Sequence, residues 1–413
     1  MIVTGKTALH DKLAAVETAV RGEVLNADEQ LAVALLGIVG RANVFYIGLP
    51  GLAKSMLVDR IRARVDCRQF KKQFSPFTKD GEVLGPLSIP GLQQERQYRV
   101  TDGFLPWADW VVLDEVFNAN SAVLNALQEL ILEGTWHNDG QTVKAPLNMV
   151  FAMSNRLPGA DRDELNAFYD RLLLRFEVPS EMSRQDLLGL IDLPEPDPSP
   201  PTLLTMDDVL AIQAEAAALP IGADAAAAAL DIRDKVHESG HWTSPRRFRA
   251  GVTRVARAAA WLDGSSEVEA VHMEALAHVM WDKPDQRPGI ERIVIEVCSP
   301  NNSEVLALED RFSEVREQVD RLVAERAAGE GSETLMNQVI DSLDKLKQVA
   351  ADVLEFESGK VTGRAATALA RVRGDVTEAA AELGVGIMRG NRDIIVQGLW
   401  ADAQTILSER TRR

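Results

Sequence analysis

Cysteine is nearly absent: Cys67 and Cys298 are the only two in 413 residues, and neither stands at metal-ligand spacing from the other or from a nearby histidine. A disulfide framework and a thiolate metal cluster are excluded, and a reducing compartment is expected. Aromatic residues are few, at 5%, and alanine-rich stretches are many, which favours helix. Long apolar runs are missing too. The longest, Leu31 to Gly40, is about half the roughly 20 residues that a membrane-spanning helix needs. Met1 to Arg21 mixes Lys6, His10, Asp11, Lys12 and Glu17 with its apolar residues, so no signal-peptide core forms. A cytoplasmic protein without a membrane span is the expectation. Positive charge is also short. The 45 Lys and Arg face 62 Asp and Glu, a net charge of −17, which repels phosphate backbones and acidic lipid and counts against general nucleic-acid binding. Apolar residues at 46% and charged residues at 26% are ordinary globular values, and the length suits two or three domains of about 150 residues.

The pattern along the chain alternates. Leu13 to Val39 has a helical period, and Asn43 to Ile47 is a short β-rich run ending in glycines. Strand character returns at Arg68 to Phe74, Trp110 to Val116, Leu147 to Met153 and Leu174 to Val178, with a helical stretch at Ser121 to Glu133. Alternating elements of this kind predict an α/β fold, a parallel sheet with helices on both faces. Between Phe74 and Asp109 the pattern breaks into glycines and prolines and reads as an insertion, with Gln97 to Val100 a possible hairpin arm. Five prolines in the nine residues from Leu193 to Pro201 mark a boundary. From there to about Lys283 the sequence reads as all-α, including Ala211 to Leu219 and Ala223 to Val236.

A β-like run at Ile290 to Val297 is followed by two heptad seams. Val305, Leu308, Phe312, Val315, Val319 and Leu322 form the first; Met336, Val339, Leu343, Leu346, Ala350 and Val353, after a break at Gly329 to Gly331, form the second. They predict an antiparallel helical hairpin over residues 303–358, whose net charge of −8 either solvates its outer face or docks a partner.

The first strand leads directly into Gly48-Leu-Pro-Gly-Leu-Ala-Lys-Ser55, close to the phosphate-loop pattern GxxxxGK[ST]. In such a loop, backbone N–H groups at a helix N-terminus form an anion nest, a lysine reaches the β and γ phosphates, and a hydroxyl binds Mg²⁺. Gly48, Pro50, Gly51, Leu52, Ala53, Lys54, Ser55 and the helix-opening Met56 are thus candidates to bind ATP, with Ser55 on the metal. Ala53 departs from the pattern's glycine, and a negative φ is expected there. Val111-Val-Leu-Asp114-Glu115 delivers two carboxylates to a strand's C-terminal end, where open α/β sheets bind ligands. Asp114 can hold Mg²⁺ through water, and Glu115 can polarise the attacking water.

With these motifs the chain resembles an AAA+ ATPase, and within that superfamily it is similar to the MoxR family, particularly the RavA type. The resemblance spans roughly residues 10–280. It rests on Gly48 to Ser55, Leu84-Gly-Pro-Leu-Ser-Ile-Pro90, Gly103-Phe-Leu-Pro106, Val112-Leu-Asp-Glu-Val116, Ser154-Asn155 and Tyr169-Asp-Arg-Leu-Leu-Leu-Arg175. It implies that Asn155 is the sensor 1 residue orienting the attacking water. It further implies that Arg171, or else Arg175, is the arginine finger reaching the γ phosphate in the neighbouring subunit, with an intrachain ion pair to Asp170 or Asp163 as the alternative. Ser244-Pro-Arg-Arg247 resembles sensor 2, so Arg246, or else Arg247, would contact phosphate from its own subunit's lid.

The implied domains are residues 1–192 for the AAA+ nucleotide-binding portion, with a helix-2 insert at about 76–108, a linker at 193–201, a lid at 202–283, and a mainly helical region at 284–413. A hairpin at Thr135 to Ala145 and the insert are expected to face a pore or partner. Implied partners are further copies of the chain in a ring, a hexamer, and a protein with a von Willebrand factor A domain bearing a metal-dependent adhesion site. The C-terminus leaves the RavA pattern, since no small β domain interrupts its helices.

His237-Glu-Ser-Gly-His241 matches the zinc-protease pattern HExxH but is rejected, because Gly240 and Pro245 interrupt the helix it needs. The reading is therefore a Mg²⁺-dependent, chaperone-like ATPase. Its rivals are a nucleotide-gated scaffold with little turnover and a DNA motor suggested by Arg246, Arg247, Arg249, Arg254 and Arg257.

Overall fold

The computed structural model describes the chain apart from residues 1–5, 159–165, 167, 181, 183, 194, 299–302, 328–332, 359–362, 388–390 and 412–413. It forms two compact units, Met1–Ile290 and Glu291–Arg413.

The first unit is built on a parallel five-stranded sheet. Its strands are β1 (Val44–Ile47), β3 (Gln69–Gln73), β4 (Trp110–Asp114), β7 (Met149–Ser154) and β8 (Leu174–Glu177), in the order β3-β4-β7-β1-β8. The three central strands are continuous apolar runs because helices cover them; every residue of β1 and β7 is buried. Register brings Ile47 opposite Ser154, and Leu113 opposite Ala152, so β1, β4 and β7 end side by side. A short parallel pair, β2 (Val65–Asp66) with β9 (Leu204–Thr205), and an antiparallel hairpin, β5 (Thr135–Asn138) with β6 (Gln141–Lys144), complete the strands.

The helical period from Leu13 to Val39 resolves into two helices, α1 (Ala8–Arg21) and α2 (Asp28–Gly40), and α3 (Lys54–Arg62) follows β1. Gly37 is required in α2: a Cβ there would come within 2.6 Å of the side chains of Val44 and Met149. The insertion after β3 carries two short helical turns, Gly81–Leu84 and Ile89–Gln93, and one antiparallel bridge between Leu87 and Arg99. Further helices run over Met206–Ala218, Ala223–Glu238 and Pro245–Ala250, the last continuing through a π turn, Gly251–Ala256, into Arg257–Asp263. The first of them is tied to α2 and to the residue before β7 by Gln213, which donates to Ile38 O at 2.8 Å and exchanges hydrogen bonds with Asn148 at 2.9 Å.

The β-like reading of Ile290 to Val297 is corrected: Arg287–Cys298 is a helix. Its β-branched residues suggest a strand, but Ile290, Val294 and Cys298 recur at helical spacing and are buried.

In the second unit the helices Ser303–Ala327, Glu333–Ser358, Gly363–Glu382 and Arg392–Thr411 form a bundle. The two heptad seams are buried along most of their length, yet they do not satisfy each other alone. They share one core with Leu369, Val372, Val376, Leu399 and Ala403. Met336, expected in the second seam, is 43% exposed. The Gly329 to Gly331 break lies outside the described residues.

Candidate nucleotide site

β1 delivers the chain into the loop Gly48–Ala53 at the C-terminal edge of the sheet. Gly48 is closely packed, and a Cβ there would lie 3.1 Å from Val178 O, tighter than ordinary contact. Gly51 has φ +86, the left-handed region that only glycine enters freely. Ala53 is left-handed as well, with φ 54 and ψ 16, which corrects the expectation of a negative φ. The loop keeps the glycine-type bend although the glycine is gone, and α3 starts at the next residue.

This bend leaves the N–H groups of Gly51 through Met56 without a backbone hydrogen-bond acceptor among the described residues. Lys54 is buried, 7% exposed, and its Nζ donates to the loop's own carbonyls, Gly48 O at 2.6 Å and Leu49 O at 2.7 Å. Burial lowers its pKa, an effect opposed by the charges of Glu115 and then Asp114. The ammonium therefore rests on the loop's carbonyls and feels the charges of Asp114, which ends β4, and Glu115, which follows it. Orphan donors, one cation and two nearby carboxylates suit a polyphosphate carrying a divalent metal.

Glu115 leaves β4 with φ 51 and ψ 40, a strained setting for a non-glycine residue. Its Oε2 accepts from the backbone N–H of Asn155, at the end of β7, at 3.4 Å. Adjacent strand ends thus bring Glu115 and Asn155 together, though it is the main chain of Asn155 that makes the contact.

Arg171 lies in the turn before β8, half-buried, and its Nε is buried with no hydrogen-bond partner among the described residues. Asp163, one of its suggested partners, lies outside the described residues. Arg175 is corrected as a finger: it is 0% exposed and bound within its own chain to Asp282. Arg247 is corrected as sensor 2 for the same reason, being 3% exposed and bound to the same carboxylate. Arg246, beside it at the start of the helix, is exposed. Asp282, which holds both buried arginines, is a residue the sequence did not single out. It stands in no motif, and only the three-dimensional meeting of Arg175 and Arg247 reveals it.

The HExxH match fails structurally, since the helix ends at Glu238 and Gly240 has φ +86. Among the described residues no group of His, Cys, Asp and Glu could hold a metal by itself, and no helix is long and apolar enough to cross a membrane. Despite the acidic whole, Arg41, Arg246, Arg249 and Arg254 gather on one side. Burial lowers the pKa of Arg254, and the other three arginines lower it further.

Residues 11–192 match the model of the MoxR domain in the MoxR–vWA–beta-propeller ternary systems, and residues 226–294 match an AAA lid domain. The chain is 30% identical over 357 residues to uncharacterized protein MJ0079 of Methanocaldococcus jannaschii, covering 86% of this chain and 92% of that one. Protein MJ0812 of the same organism is 35% identical over 279 residues, 67% of this chain and 73% of its own length. A Cytophaga hutchinsonii protein described as a candidate ATPase superposes with a TM-score of 0.57 at 17% identity, covering 69% of this chain and 94% of that one.

Proposed function

Because the chain belongs to the MoxR-type AAA+ ATPases, we propose that it hydrolyses ATP and uses the cycle to remodel or mature a partner protein. The observation that carries this reading is the row of N–H donors from Gly51 to Met56, without backbone acceptors among the described residues, beside buried Lys54 and near Asp114 and Glu115. The loop binds the phosphates, and Lys54 leaves its two carbonyl acceptors to pair with them. Ser55 and Asp114 would hold Mg²⁺, which would supply neutralisation of the phosphate charge. Glu115 takes the proton of the attacking water, held in aim by the Asn155 N–H. Exposed Arg246 meets phosphate from the same chain, and Arg171, with its unpartnered Nε, meets the γ phosphate of a neighbouring copy.

A site completed by a second copy calls for a closed ring, and we take a hexamer as its form. The likeness to RavA is confined to the AAA+ motifs, and the four-helix C-terminal unit sets this chain apart. A partner with a von Willebrand factor A domain is the expected client, and the cytoplasm the expected compartment. The test is a pair of variants. Lys54→Ala should abolish ATP binding in calorimetric titration; Glu115→Gln should bind ATP and release phosphate far more slowly. Turnover at the wild-type rate in Glu115→Gln removes Glu115 from the mechanism.

The arginines around Arg254 favour one second reading, a DNA motor. DNA affinity that falls steeply with salt and disappears in Arg249→Glu, Arg254→Glu would support it.

A further inference from the structure

Arg171 and Arg246 each lie close along the chain to a buried arginine, and the two buried arginines hold one carboxylate. Arg175 Nη1 and Arg247 Nη1 are each 2.6 Å from Asp282 Oδ1, and both guanidiniums donate to Trp281 O. Arg175 also grips the Arg171 turn from both sides. Its Nη2 donates to Tyr169 O at 3.1 Å and its Nε to Leu172 O at 3.2 Å, while its guanidinium carbon lies 3.8 Å from the centre of the Tyr169 ring. The Tyr169 hydroxyl closes the circuit by donating to Asp282 O at 2.9 Å. On the far side, Arg247 is fixed in the first turn of the helix that carries Arg246, its N–H donating to Ser244 Oγ at 3.2 Å.

Two buried cations therefore share one anion. Burial pushes the Asp282 carboxyl up, but Arg247 and Arg175 outweigh it and hold it below the usual carboxylate range. Burial, and then the charge of Arg175, lowers Arg247 to about 10. Moving either arginine away would leave Asp282 and the other arginine to readjust, which ties the two segments energetically.

We propose that Asp282 is a positioning residue that couples the Arg246 helix, acting on the nucleotide of its own chain, to the Arg171 turn, acting on that of the neighbouring chain. The proposal rests on the roles given above to Arg171 and Arg246. A displacement of the Arg246 helix on nucleotide binding passes through Arg247 to Asp282, and from there through Arg175 and Tyr169 to the turn that aims Arg171. Occupancy of one site then sets the finger for the next, and turnover rises cooperatively with ATP concentration.

The experiment measures phosphate release against ATP concentration in assembled full-length protein, with ATP affinity and thermal melting recorded in parallel. Tyr169→Phe removes only the hydroxyl bond to Asp282, so affinity should stay within about twofold while the Hill coefficient falls to about one and maximal turnover falls roughly 3- to 10-fold. Asp282→Asn should do the same more severely, and Asp282→Glu should restore part of the loss. If Asp282→Asn does not fold, Tyr169→Phe decides alone. A non-cooperative wild type, or a Hill coefficient unchanged in Tyr169→Phe, overturns the proposal. Arg171→Ala separates the two levels. If it leaves hydrolysis in neighbouring subunits intact, the finger assignment fails and the coupling fails with it. If it silences the neighbours while Tyr169→Phe keeps full cooperativity, only the coupling is lost.

Discussion

The two units of the chain obey local preference to different degrees. In the bundle, apolar residues at heptad spacing fall into one core, and charges pair across the surface, as in Arg316 with Asp320 and Glu382. In the nucleotide unit the rules are broken at one edge of the sheet. Ala53 and Glu115 are left-handed without being glycine, a lysine is buried, and six successive N–H groups lack backbone acceptors among the described residues. Such departures persist only where the surrounding fold imposes them. The apolar strands β1, β4 and β7 impose them here, and the polar groups they gather are the ones that fit ATP.

The contrast can be tested from either side. The largest effect is expected at the broken-rule edge: Glu115→Gln should lower turnover about 10²- to 10⁴-fold with an unchanged melting temperature, because it removes a proton acceptor and no packing. The converse belongs to the bundle. Leu308 is fully buried there, so Leu308→Ala should cost that unit about 2–5 kcal/mol in denaturant unfolding while ATPase activity stays at the wild-type level. A loss of activity in the folded variant would erase the distinction. Deleting residues 303–358 alone is a poor form of this test, since it would strip the core from the two remaining helices.

A smaller effect is expected at Ala53. The left-handed conformation costs a non-glycine residue roughly 1–2 kcal/mol, and glycine gives back about half of that in backbone entropy. Ala53→Gly should therefore raise stability by about 0.5–1 kcal/mol, read in chemical denaturation. A destabilised Ala53→Gly would mean that the methyl packs usefully there.

How much of this was legible in the sequence depends on range. The sheet strands, the loop from Gly48 to Ser55 and the pair Asp114–Glu115 announce themselves through local period and spacing. The conformation of Ala53 does not, because a turn is set by its anchors as well as by its own residue. Nor does the fate of Arg175 and Arg247. Arginine next to a motif looks available for phosphate until the fold shows Asp282, more than thirty residues from Arg247 and a hundred from Arg175, holding both. The β-branched residues of Ile290 to Val297 misled in a similar way, since propensity yields to the face a segment must bury. The heptad seams were visible, but which helices they would meet was not, as a seam records burial and leaves the partner open.

The most direct measurement is phosphate release from mixtures of Arg171→Ala and Glu115→Gln subunits over all ratios. If one copy's Arg171 completes the next copy's site, each variant alone should be silent and mixtures should regain activity at junctions where an intact Glu115 faces an intact Arg171. Silence at every ratio, in mixtures shown to assemble together, would contradict the shared site.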